Sequence, residues 1–166
     1  MQPLARITHK PKLRRSLTIS TYTQILYQIV WSTKNRKACL KQSHREELFK
    51  YIWGICNNKH CHLYQINAVE DHIHIITHLH PSVALADFVK DIKTASSTWI
   101  KRENKFPGFE SWQIGYAAFT YALNAKDDLI EYVKNQEKHH QKRSFINELK
   151  QLLIEHNIEY DEKYLP

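Results

Sequence analysis

The sequence predicts an α+β fold built on an antiparallel sheet. Short β-branched and aromatic runs of period two alternate with longer apolar stripes of helical period. The two central strand-like runs are joined around Glu70-Asp71 by a link too short for a crossover, so they must pair as a hairpin. The length of 166 residues suits one domain around one core.

Each element follows in order. Residues 1–20 carry Arg6, Lys10, Lys12, Arg14 and Arg15 with Pro3 and Pro11, no acid and no apolar period, so they read as a basic N-terminal extension without fixed structure. The folded domain is expected over residues 21–166. A buried first strand is predicted over 22–32, and Lys34, Arg36 and Lys37 form a basic turn after it. Ser43 with Glu46 predicts a capping box. The helix that follows runs to about Asn58, with Leu48, Ile52, Ile55 and Cys56 facing the core.

The hairpin strands are predicted over 62–69 and 72–79, and Pro81 stops the second. Ser82 is placed to cap a second helix of about 83–103, lined on one face by Leu85, Phe88, Val89, Ile92 and Trp99. Lys90, Lys93, Ser97 and Lys101 line another face of this helix, either solvated or tracking phosphates. Residues 114–123 predict a last strand, in which Gly115 allows a close backbone approach. A helix from about Asn124 has Asp127 and Asp128 in its first turn and Lys142 and Arg143 in its last, both suited to the helix dipole. A shorter helix over 145–156 and an acidic, tyrosine-containing tail complete the chain. The order βαββαβα suits a ferredoxin-like antiparallel sheet with helices on one face and an added C-terminal helix.

Composition narrows the function. The formal net charge is +7, from 24 Lys+Arg against 17 Asp+Glu, which favours a polyanionic partner such as nucleic acid. No apolar run approaches the length of a membrane span, and the N-terminus lacks the apolar centre of a secretory leader. Cys39, Cys56 and Cys61 are an odd set without scaffold spacing, which fits reduced thiols in a cytoplasm. The run Cys56–His62 lacks the second ligand pair of a structural zinc module.

The chemistry centres on Asp71-His72-Ile73-His74-Ile75-Ile76. On a strand, His72 and His74 point to one face while Ile73 and Ile75 point to the other. Two neutral imidazoles so placed make half of a divalent-metal site. In the last main helix, Tyr132 and Gln136 are four residues apart and share a face. Alone, such a tyrosine is most simply a packing residue. Beside the histidines, a carboxamide oxygen is an acceptable third ligand for a hard cation, and a phenol is a usable nucleophile.

His72-Ile73-His74 together with Tyr132-x-x-x-Gln136 resembles the single-tyrosine HUH transposases of small insertion sequences, the IS200-like family, and the related REP-associated tyrosine transposases. The resemblance spans about residues 22–166. It includes Tyr22-Thr23-Gln24, Ser111-Trp112-Gln113-x-Gly115-Tyr116, His139-His140 and the tail Glu159-Tyr160-Asp161-Glu162-Lys163-Tyr164. It implies that His72, His74 and Gln136 bind one divalent ion, Mg or Mn, and that Tyr132 on the added helix is the catalytic nucleophile. It also implies cleavage of single-stranded DNA to a 5′-phosphotyrosine and a free 3′-OH. The family's substrates are insertion-sequence ends folded as hairpins, its members act as homodimers, and the setting is the nucleoid of a bacterial or archaeal cell. Lys34, Arg36, Lys90, Lys93 and Lys101 are the expected DNA contacts. His78 and His80 continue the histidine alternation but match no family ligand. The alternatives are a non-catalytic hairpin-DNA-binding protein on the same fold, and an unrelated metal hydrolase of small substrates.

Overall fold

A computed structural model describes residues 21–137 and 144–165, so the expected basic extension and the His139-His140 pair lie outside the described residues. The strands are β1 (Leu26–Ser32), β2 (His62–Ala68), β3 (His72–His78) and β4 (Ala117–Tyr121). The helices are α1 (Gln42–Asn58), α2 (Leu85–Glu103), α3 (Lys126–Lys134) and α4 (Phe145–Glu155). Every strand pairing is antiparallel, in the spatial order β2-β3-β1-β4. This is the ferredoxin-like arrangement the element order predicts.

Alternation along β1 and β3 divides the sheet into two faces. Ile29, Trp31, Ile73 and Ile75 point to the main core, where they meet Leu48, Ile52 and Cys56 of α1 and Phe88, Val89 and Ile92 of α2. The other face carries Leu26, Gln28, Val30 and Ser32, paired across to β3 residues His72, His74 and Ile76 or to β4. There α4 sets Phe145, Leu149, Leu152 and Leu153 against Val30 and Phe119, and α3 sets Leu129 and Val133 against Leu26 and Ile76. The pair α1/α2 thus covers one face as expected, and the added C-terminal helices cover part of the opposite face. Ile75 is fully buried at the centre of the main core. Ile75→Ala is expected to lower unfolding free energy by about 2–5 kcal/mol, read from a urea midpoint.

The boundaries show where local signals lost to tertiary contacts. Ser43 does not cap α1; the helix begins at Gln42 with Lys41 at the N-cap and no side-chain cap bond. The chain enters it tied by Cys39 and Leu40 N–H groups to the Glu70 carbonyl, and Arg45 Nε donates to the Leu40 carbonyl at 2.8 Å. Ser82 does not cap α2 either, because its hydroxyl pairs with His80 Nδ1 at 2.7 Å and the helix starts later, at Leu85. β4 begins at Ala117, not near 114, since Gly115 adopts φ 85° and the Lys93 ammonium takes the carbonyls of Gln113 and Gly115, each at 2.6 Å. The helix expected to continue from 124 through 143 is interrupted at Asn135. Asn67 of β2 donates to the Val133 and Lys134 carbonyls at 2.8 and 3.2 Å, satisfying acceptors at the end of α3.

Candidate active site

His72 and His74 are fully buried side by side on β3, with ring centroids 5.1 Å apart. Asp71 fixes the first of them: its Oδ1 lies 2.6 Å from His72 Nδ1. The carboxylate accepts the Nδ1 proton, which leaves the His72 Nε2 lone pair facing the site. Phe145 of α4 stacks on the His72 ring at 4.2 Å and 24°. His74 Nδ1 faces the Gln28 carboxamide at 3.5 Å, and Tyr121 donates to that carboxamide at 2.7 Å. A carboxamide serves in either orientation: turned over, its oxygen accepts the His74 Nδ1 proton and its nitrogen donates to the Tyr121 oxygen. Burial pushes the Tyr121 phenol up to about 12, with the Glu155 charge adding to it, so the phenol stays protonated in this relay.

A further participant is Glu148, which the sequence did not single out. It projects from the first turn of α4 and is buried. Its Oε1 lies 3.6 Å from His74 Nε2, and its Oε2 lies 3.9 Å from His72 Nε2. The same Oε1 accepts hydrogen bonds from the Tyr132 hydroxyl and from Gln136 Nε2, the latter at 3.0 Å. One signal pointed to it: Phe145, Glu148, Leu149 and Leu152 fall at i, i+3, i+4 and i+7, so a carboxylate stands inside an apolar stripe.

Tyr132 and Gln136 meet at this carboxylate although α3 ends between them. Leu129 and Val133 anchor α3 on the sheet, which turns the half-buried Tyr132 toward Glu148. Beyond the break, Arg45 Nη1 binds Glu137 Oε1 at 2.7 Å, fastening the segment that carries buried Gln136 to α1. Burial, then the Glu148 charge and hydrogen bond, push the Tyr132 phenol well above its ordinary range, while the Gln136 bond opposes this. In this arrangement the nucleophile candidate is held as a neutral phenol.

The donor set suits a divalent cation. His72, His74 and Glu148 each offer a ligand atom, all within 4.8 Å of one another, and no other metal-capable group of His, Cys, Asp and Glu occurs among the described residues. Two imidazoles and a carboxylate are a common set for such ions, and Gln136 stands beside them. Asp71→Asn is expected to weaken divalent-ion affinity about 10–100-fold, measured by Mn titration, because the His72 tautomer loses its anchor.

The other histidines are drawn elsewhere. His78 Nδ1 accepts from the Ile25 N–H at 3.3 Å, and His80 pairs with Ser82. All three cysteines are free and buried, and burial pushes the Cys56 thiol up to about 12. The expected DNA-contacting cations do not gather at the site. Lys34 and Arg36 are exposed on the turn after β1, where Lys34 pairs with Glu110 at 3.1 Å. Lys90 and Lys101 are exposed on α2, across the sheet from the histidines, and Lys93 spends its ammonium on the 113–115 loop.

The His-x-His strand of this ferredoxin-like sheet thus faces the helix that bears Tyr132. The profile of the family described as "Transposase IS200 like" matches residues 21–136, and the chain belongs to that family. It is 24% identical over 118 residues to the ISDra2 transposase TnpA of Deinococcus radiodurans, covering 68% of this chain and 84% of that protein. The fold is similar to the crystal structure of a candidate transposase from Deinococcus radiodurans R1, with TM-score 0.56, 21% identity, and coverage of 74% of this chain and 98% of the other. It is also similar to a REP-associated tyrosine transposase whose structure is bound to a REP hairpin, with TM-score 0.56, 14% identity and 74% coverage of each chain. Among the described residues no helix is long and apolar enough to cross a membrane.

Proposed function

We propose that this transposase cuts and rejoins single-stranded DNA through a covalent tyrosine intermediate. The supporting observation is the convergence of Tyr132, Gln136, His72 and His74 on the single carboxylate of Glu148. In this reading the Tyr132 oxygen attacks the scissile phosphorus and the 3′ oxygen of the preceding nucleotide leaves. The products are a 5′-phosphotyrosine and a free 3′-OH. The phenol proton passes to Glu148, which already accepts its hydrogen bond, and the departing 3′ oxygen takes a proton from water. A 3′-OH from another cleaved end then displaces Tyr132, so one phosphodiester is exchanged for another and no nucleotide is hydrolysed.

His72, His74 and Glu148, with Gln136 beside them, would hold a Mg or Mn ion, which when bound supplies Lewis-acid polarisation of the phosphate. Asp71 and Gln28 orient the imidazoles, and Phe145 shields the His72 ring from water. Insertion-sequence ends folded as hairpins are the proposed substrate, in line with the hairpin carried by the REP-associated structure. The acting species is proposed as a homodimer with one site for each end, in a domain spanning residues 21–166 that the basic extension precedes.

Adduct formation on a labelled single-stranded end in Mn tests this reading. EDTA and His72→Ala are each expected to reduce the adduct to background. Undiminished cleavage in either case would remove the metal assignment, and hairpin binding without nicking in any metal would favour the non-catalytic alternative.

A further inference from the structure

Two stretches singled out in the sequence take no part in the site above: Ser111–Tyr116 and the tail Glu159–Tyr164. Both line one cavity of about 330 Å³, beside β1 and α4. Ser32, Gly115, Tyr116, Phe145, Glu159 and Tyr160 are among its walls. We propose that this cavity binds a base of the single-stranded DNA, one bearing an exocyclic amino group. The proposal rests on the single-strand reading for its ligand and adds the element that would select a nucleotide next to the reacting phosphate.

Position is the first argument. Ser32 is the cross-strand partner of His72, so its side chain lies on the same face one strand away, roughly 5 Å in the sheet. Phe145 belongs to both places, stacking on His72 and lining the cavity. A strand with a phosphate against His72 and Tyr132 therefore brings a neighbouring base to this opening.

Chemistry is the second. Ser32 is 1% exposed and lines the cavity, and its buried hydroxyl has no hydrogen-bond partner among the described residues. A buried polar atom without a partner is uncommon and calls for one. Around it the walls are apolar and aromatic, and Tyr116, Ile114 and Tyr164 are exposed at the rim. Such surfaces stack on the faces of bases. Gly115 adopts φ 85°, and a Cβ there would meet nothing within 4 Å, so the backbone is open to a close approach.

Charge decides which part of a nucleotide enters. The polar wall of the tail carries Glu159 and Asp161, which repel a phosphate. Asp161 is paired with Lys163 at 2.8 Å, while Glu159 is exposed at the mouth. A carboxylate accepts from an exocyclic amino group, as acids do from cytosine N4, and finds only carbonyl oxygens at the corresponding places on thymine.

The test titrates the full-length chain with the four deoxynucleoside 5′-monophosphates, following backbone amide signals of Ser32, Gly115 and Tyr160. The compound 2-deoxyribose 5-phosphate serves as the baseless control. Nucleotides with an amino group are expected to shift these amides at lower concentration than thymidine monophosphate, and the baseless compound is expected to leave them in place. Ser32→Ala and Glu159→Gln are each expected to weaken binding about three- to tenfold, as for one lost hydrogen bond. Both changes are mild, and Glu159 is exposed, so folding is not at issue. Equal shifts from the baseless compound, or none from any nucleotide, overturn the base pocket. The titration needs no strand cleavage, so the two readings separate. An adduct without pocket shifts overturns the pocket alone, and pocket shifts without an adduct overturn the tyrosine chemistry alone.

Discussion

Tyr132→Phe is expected to abolish the covalent protein–DNA adduct while hairpin binding and the fold persist. The substitution removes one oxygen and keeps the ring, which packs with Leu26, Ile76, Leu129 and Val133. Glu148 Oε1 retains its bond from Gln136 Nε2, so the buried carboxylate keeps a donor. Only the proposed nucleophilic atom is lost. The measurement is a denaturing gel of labelled single-stranded DNA, paired with a gel-shift assay on the hairpin. An adduct at the wild-type level in the variant would mean that another residue attacks.

Glu148→Ala carries the second large effect. Removing the carboxylate takes away the common acceptor of Tyr132 and Gln136 and the only acidic member of the metal-capable cluster. Each buried donor left without its acceptor costs about 1–3 kcal/mol, so stability falls measurably. Mn affinity and adduct formation are both expected to drop by at least about tenfold, as for a lost anionic ligand. Glu148→Gln separates the two roles. It keeps an oxygen to accept from Tyr132, so thermal stability stays near wild type, while the missing charge still weakens Mn binding. Wild-type Mn affinity in both variants would take Glu148 out of the ligand set.

Glu148 also shows where sequence reasoning stopped. The His72/His74 pair could be read from alternation alone, because a strand puts residues two apart on one face whatever surrounds it. The hairpin followed from a link too short for anything else, and its pairing from His62 to Ala68 against β3 matches the expectation. The core stripes of α1 and α2 followed from the helical period in the same way. These are local properties of the chain.

The completion of the site is not local. Tyr132, Gln136 and Glu148 converge through the packing of α3 and α4 on the open face of the sheet, and neither packing leaves a periodic trace that names its partner. The carbonyls at the end of α3 are met by an amide on β2, far away in sequence. The predicted caps failed for a related reason: Ser82 had a nearer partner in His80, and the start of α1 was fixed by contacts to Glu70 and Arg45. Lys93 read as part of a stripe either solvated or tracking phosphates, and its ammonium is drawn to two carbonyls that become visible only when the 113–115 loop is folded.

Mapping the adduct tests the tyrosine chemistry most directly. Wild-type protein is incubated with 5′-labelled and 3′-labelled single-stranded hairpin ends in Mn, denatured, and digested for peptide analysis. Label downstream of the cut is expected to travel with the protein, attached as a 5′-phosphate to the peptide containing Tyr132, and the upstream fragment is expected to end in a free 3′-OH. Attachment through a 3′-phosphate, attachment to a different residue, or cleavage with no protein joined to either fragment would contradict it.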